Sequence, residues 1–132
     1  MSKIDSHVHF WQLARGDYYW LTNDMQAIQR DFQAEDFQSV RNNNNISQII
    51  LVQAAPTTAE THYIIDLASQ CDFIAAVIGR VDIENAAVAL DQLQEFCGTP
   101  LFRGIRPMLP NMSENRWLKL PQLDATIQQL LE

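Results

Sequence analysis

Apolar and polar positions fall into alternating blocks along the chain. Four blocks read as buried strands: residues 3–10 (KIDSHVHF), 47–54 (SQIILVQA), 73–82 (FIAAVIGRVD) and 101–109 (LFRGIRPML). The second and third are nearly continuous apolar runs, which suits parallel strands covered on both faces. Helical patterns lie between them. Residues 35–42 form a short one that runs into Asn42, Asn43, Asn44 and Asn45. Asparagine tolerates the left-handed conformation that ends a helix, so this run reads as a stop. Residues 58–69 have a cap in Thr57 or Thr58 and an apolar face of Ile64, Ile65, Leu67 and Ala68. Residues 85–96 carry Ala86, Val88, Ala89, Leu90, Leu93 and Phe96, with Gly98 following as a cap, and residues 122–131 follow Pro121.

Strand and helix thus alternate four times, which predicts an α/β fold of four βα units with right-handed crossovers and a parallel sheet. An eight-unit (β/α) barrel takes about 250 residues. The 132 residues here supply the units for about half of one. A four-stranded half barrel exposes two sheet edges and the apolar inner face of its sheet. Three outcomes follow: a fragment, a half barrel that dimerises, or a smaller open sheet. The length itself predicts one domain spanning 1–132.

Composition narrows the partners. Hydrophobic residues make up 47% of the chain, enough for a core, and the formal net charge is -7. That charge argues against a nucleic-acid phosphate surface and against an anionic membrane. Cys71 and Cys97 stand alone, outside any Cys-x-x-Cys motif, and read as free thiols of a reducing compartment. The N-terminus shows no signal-peptide pattern, and no apolar run approaches membrane-spanning length, so the expected location is the cytoplasm. The glycosylation patterns at Asn45 and Asn111 are read as accidental on the same ground.

The chemistry begins in the first strand. Asp5, His7 and His9 share one side of it, because side chains alternate with period two. Two neutral imidazoles spaced i and i+2 can point at one metal ion. His9 lies toward the strand's C-terminal end, where parallel barrels keep their active sites. The bare pattern equally fits a solvated pair or one satisfied core histidine.

The segments IDSHVHFWQL, DYYWL, RDF, ILVQAA followed by Glu60 in AET, IGRVD and RGIR occur in that order through the chain. Together they resemble the amidohydrolase-related (amidohydrolase 2) family of metal-dependent TIM-barrel hydrolases. The resemblance is nearest to its L-fuconolactonase and L-rhamnonolactonase group, with pyrone dicarboxylate lactonase more distant. It implies a distorted (β/α)8 barrel, of which this chain matches the N-terminal half, and hydrolysis of a small-molecule lactone or similar cyclic ester. His7 and His9 match the family's His-x-His, which holds a divalent metal such as zinc or faces the substrate.

The resemblance also assigns substrate-binding candidates. Gln53 matches the strand-end glutamine; it shares a face with Ile49 and Leu51, and otherwise reads as a residue bonded to its neighbours. Arg106 matches the arginine of Gly-x-Arg, whose fork suits a carboxylate, a lactone carbonyl or a developing oxyanion. Glu60 matches a family acid after the second strand, at a helix start where the dipole also favours an acid. Trp11, with Tyr18, Tyr19 and Trp20, reads as a lid or stacking wall, or as packing for a long loop. Arg80 stands where the lactonases often carry tryptophan. Asp82 reads as a helix cap as well as a site acid, and His62 as a surface residue.

The family's later histidines and its general-base aspartate on the eighth strand have no counterpart in residues 1–132, so no catalytic residue is assigned within the chain. Three functions follow from this reading. The chain is part of a lactonase site completed by a missing C-terminal half. Or it is a half barrel covered by a second copy, inactive or binding a ligand without turnover. Or it is an independent small α/β binding domain.

Overall fold

The computed structural model describes residues 3–108, 119 and 121–130. Residue 109 of the expected fourth strand, the Asn111 pattern and residue 131 of the fourth helix lie outside these. The strands are β1 (Lys3–Val8), β2 (Ile46–Val52), β3 (Ile74–Gly79) and β4 (Phe102–Ile105). The helices are α1 (Ala34–Asn44), α2 (Thr58–Gln70), α3 (Ala86–Cys97) and α4 (Asp124–Gln129). All neighbouring strands run parallel, in the order β1-β2-β3-β4. The four predicted βα units are therefore present, in the arrangement of half a (β/α)8 barrel. Among the described residues no helix is long and apolar enough to cross a membrane.

Local signals place the helix ends. Asn45 takes the left-handed conformation, with φ 55°, and stops α1. Thr57 caps α2: its Oγ1 accepts the Glu60 N–H at 3.1 Å. Asn85 caps α3 through the Val88 N–H, so the cap falls on Asn85 and not on Asp82. Asp82 instead donates its backbone N–H to Gln92 Oε1 at 2.7 Å.

The strands are shorter than the apolar runs suggest, and β3 shows why. The Thr61 hydroxyl on α2 accepts the Arg80 N–H at 2.7 Å and donates to the Arg80 carbonyl at 3.0 Å. One side chain thus takes both backbone groups of Arg80 out of the ladder, and β3 ends at Gly79. β1 ends at Val8 rather than Phe10, and its pairing with β2 shifts register between Asp5 and Val8.

The core lies between the sheet and its helices. Ile49, Leu51 and Val77 from the strands meet Ile64, Ala68, Ala89, Leu93 and Phe96 from the helices. The other face carries Ile50, Ala76 and Ile78, which are only half-buried. Ile4 on β1 is 56% exposed. This second face corresponds to the inside of a closed barrel.

Helix α2 approaches β3 closely. A Cβ placed on Gly79 would lie 2.5 Å from Thr61 Cγ2 and 3.0 Å from Phe102 Cε2. Gly79→Ala is therefore expected to destabilise the fold by about 2 kcal/mol through overpacking. Urea unfolding measures this, and an unchanged midpoint would contradict the close approach.

Candidate active site at the strand ends

Residues from the C-terminal ends of three strands and from the loop after β1 meet at one end of the sheet. His9, Trp20, Ala54, Arg106 and Met108 line a cavity of about 310 Å³ there. His9 follows β1, Ala54 follows β2, Arg106 and Met108 follow β4, and Trp20 comes from the loop between β1 and α1.

His9 is held in one orientation. Its Nδ1 lies 2.8 Å from the Val52 carbonyl, which can only accept, so Nδ1 carries the proton. A neutral His9 then has its lone pair on Nε2, which sits 3.1 Å from His7 Nε2. Burial pushes the His9 pKa below its ordinary value, and the neighbouring His7 and Arg106 push it the same way, against the Val52 hydrogen bond. His9 is thus prepared as an acceptor or a ligand.

The two ring nitrogens also suit a shared ion. Nitrogens bound to tetrahedral zinc at about 2.0–2.1 Å lie roughly 3.3 Å apart, close to the spacing here. The His9 Nδ1–H bond to a backbone carbonyl is the usual outer partner of a ligating histidine. The pair therefore fits two positions of a metal site. Among the described residues no third His, Cys, Asp or Glu completes a group with them.

Arg106 and Gln53 clamp each other. Gln53 Nε2 donates to the Arg106 carbonyl at 2.9 Å, and Arg106 Nη1 donates to the Gln53 carbonyl at 3.2 Å. Gln53 is completely buried. It therefore meets the cavity through Arg106, while the guanidinium itself lines the wall. The described salt bridges join Arg106 to no carboxylate.

Two other predicted residues take different places. Trp11 does not line the cavity: its Nε1 donates to the Arg30 carbonyl at 2.8 Å, and its ring packs on Phe32 and edge-on against Trp20. It props Trp20 from behind. Glu60 is completely buried below the cavity. Its Oε1 accepts the Ala54 N–H at 2.9 Å and its Oε2 accepts the Tyr18 hydroxyl at 3.0 Å. Burial raises its pKa, opposed by those two bonds and by Arg15. His62 is half exposed on α2, against Phe96 and 3.7 Å from Glu95. Both cysteines are free thiols, and burial raises the Cys71 pKa.

Sequence reasoning named Trp20 only within an aromatic run and did not single out Ala54 or Met108. Nothing in the DYYWL pattern says which ring turns to the cavity. The Val52 carbonyl that orients His9 is a backbone group, invisible to any residue pattern.

A parallel half barrel with an HxH pair and a strand-end arginine is what the resemblance to the amidohydrolase-related family implies. Comparison with known proteins agrees, although no family model matches the chain. An amidohydrolase from Burkholderia multivorans with bound HEPES superposes with a TM-score of 0.88 at 28% identity, over 98% of this chain and 45% of that one. A second crystal form of a B. multivorans amidohydrolase, with bound zinc, gives 0.85 at 27% identity over the same shares, 98% and 45%. In sequence the chain is 37% identical over 129 residues to the L-fucono-1,5-lactonase of Burkholderia ambifaria, covering 98% of this chain and 44% of that protein. The resemblance read from the sequence motifs therefore holds: the chain is similar to L-fucono-1,5-lactonase and to amidohydrolase structures, and it spans less than half the length of the lactonase it matches.

The lowered His9 pKa has a checkable consequence. An unfolded histidine titrates near 6.5, so below that pH the unfolded chain binds a proton that folded His9 resists. The His9 contribution to stability is therefore lost as pH falls from about 6.5 toward the folded pKa. By NMR titration His9 is expected to protonate below the ordinary histidine value, and Arg106→Gln to move its midpoint upward. A midpoint that stays put in Arg106→Gln would show that the guanidinium does not act on His9.

Proposed function

We propose that the chain forms the N-terminal half of a hydrolase site that opens a sugar lactone or a similar cyclic ester. The observation that carries this reading is the pairing, in one cavity, of Arg106 with no carboxylate partner among the described residues and a His9 whose Nε2 lone pair is free of the backbone. The name of the B. ambifaria relative supports L-fucono-1,5-lactone as the first substrate to try.

Attack of water on a lactone carbonyl places negative charge on the carbonyl oxygen. The N–H groups of Arg106 not used by Gln53 can donate to that oxygen and stabilise the charge as it develops. The Gln53 clamp holds the guanidinium before substrate arrives, so little reorganisation is needed at the reaction step. Opening the ring yields a carboxylate, which the same fork suits. The Trp20 ring closes one side of the cavity with an apolar face. His7 and His9 would hold a divalent metal, zinc by analogy with the zinc-bound B. multivorans structure, and it would supply Lewis acidity toward a carbonyl oxygen. The group that activates water would come from the missing half of the barrel.

The half-buried inner face of the sheet favours a cover over it, from the remaining βα units or from a second copy. A half barrel covered by a second copy, inactive or binding a ligand without turnover, is the rival reading. The free thiols support a reducing compartment such as the cytoplasm.

Joined to the second half of the B. ambifaria lactonase, the chain is expected to hydrolyse L-fucono-1,5-lactone, and Arg106→Ala to slow turnover roughly 100-fold. The isolated chain is expected to show none. Robust turnover by the isolated chain, or by the joined Arg106→Ala variant, would overturn the proposal.

Metal binding is checked separately. Zinc retained by the purified chain after desalting is expected to fall to background in the His7→Ala/His9→Ala double variant. Equal zinc content in both proteins would remove these residues as ligands.

A further inference from the structure

We propose that Glu60 is a positioning residue for the strand-end site: without touching the cavity, it sets the place of Trp20 and Ala54 in its wall. The inference rests on the functional reading of that cavity and concerns how its wall is held.

The connection runs through short bonds on both sides of the carboxylate. On one side Glu60 Oε1 accepts the Ala54 N–H at 2.9 Å. The Ala54 carbonyl in turn accepts the Trp20 indole N–H at 2.6 Å. On the other side Glu60 Oε2 accepts the Tyr18 hydroxyl at 3.0 Å, two residues before Trp20. One carboxylate therefore grips the indole's acceptor residue and the indole's own loop. Tyr18, Ala54 and Ala55 form a small buried cluster separate from the main core, with Trp11, Trp20 and Leu21 packed on it.

Neighbouring groups make the grip directional. Arg15 Nη2 lies 2.9 Å from Asp17 Oδ2 and 3.4 Å from Glu60 Oε2, and Arg15 Nε donates to Tyr18 Oη at 3.1 Å. The Thr57 hydroxyl, which caps α2, donates to Asp17 Oδ2 at 2.6 Å. The loop bearing Trp20 is thus bonded to the start of α2 at both Glu60 and Thr57. The Tyr18 hydroxyl donates to the carboxylate while accepting from Arg15, so its proton has one direction to take. A neutral amide at position 60 keeps an acceptor for the Ala54 N–H. It offers Tyr18 and Arg15 an N–H where a carboxylate oxygen stood, so the acceptor of the Tyr18 proton and the charge facing Arg15 are lost while the Thr57–Asp17 bond remains.

Trp20 fluorescence reads this without any ligand or turnover, so the result does not depend on what the site hydrolyses. The chain has three tryptophans; Trp11→Phe and Trp117→Phe together leave Trp20 as the sole emitter. In that background Glu60→Gln is expected to shift the Trp20 emission to the red and raise acrylamide quenching roughly twofold at temperatures well below unfolding. Tyr18→Phe, which removes only one of the two grips, should move both signals in the same direction by less. Glu95→Gln, on the exposed side of α3, should move neither. If Glu60→Gln lowers the melting temperature but leaves Trp20 emission and quenching unchanged, Glu60 is a structural group only and the proposal fails. Should Glu60→Gln not fold, Tyr18→Phe decides: unchanged Trp20 signals in that variant overturn the inference equally.

Discussion

A carboxylate with no access to water organises one end of this molecule. Glu60 is completely buried, and a buried carboxylate is costly unless its oxygens find donors. Here the donors come from two separate stretches: the Ala54 backbone after β2, and the Tyr18 hydroxyl and Arg15 guanidinium of the loop after β1. Satisfying the charge therefore draws the loop after β1 onto the junction of β2 and α2. Burial, and then Glu60 itself, hold the Tyr18 pKa well above the ordinary tyrosine range, so its hydroxyl stays a donor. The position of the aromatic wall follows from that requirement.

The parallel sheet imposes the second constraint. With all four strands pointing the same way, their ends collect at one side of the molecule, and so do the residues that follow them. His9, Gln53 and Arg106 are far apart in sequence and close in space for this reason alone. The pairing of His9 with Val52 and of Gln53 with Arg106 then turns proximity into fixed geometry. Each pairing uses a backbone carbonyl as acceptor, which does not move with side-chain rotamers. The same construction leaves the inner face of the sheet half-buried, as a four-unit section of a barrel must.

Much of this was legible from residue order. The caps at Asn45 and Thr57 follow from short-range rules, because a cap bonds within a few residues of itself, whereas the α3 cap falls on Asn85 and not on the Asp82 read as a candidate. The four strands follow from apolar runs, although Thr61 cuts the third one short by capturing Arg80 from another element. The histidine pair was read from its period-two spacing on the first strand, and Arg106 from the resemblance to a known family. Glu60 was placed at the substrate by that resemblance, and Trp11 was read within an aromatic run as a lid or as loop packing; in the fold Trp11 supports a neighbouring ring and Glu60 lies beneath the wall. Spacing identifies which residues a site region contains, and says nothing of the depth at which each one sits.

What the sequence alone determined is therefore the order and type of elements and the parallel sheet, which rest on periodicity and capping acting over a few residues. Beyond the histidine pair, the polar residues at the C-terminal end of that sheet came from the resemblance to a known family. The tertiary structure decided which aromatic ring faces the cavity, which nitrogen of His9 carries the proton and which residue holds which. Those outcomes depend on hydrogen bonds across 34 residues from Trp20 to Ala54, 42 from Tyr18 to Glu60, 43 from His9 to Val52 and 53 from Gln53 to Arg106. Bonds of that span form only once the chain has packed, because their partners are brought together by burial and by the sheet.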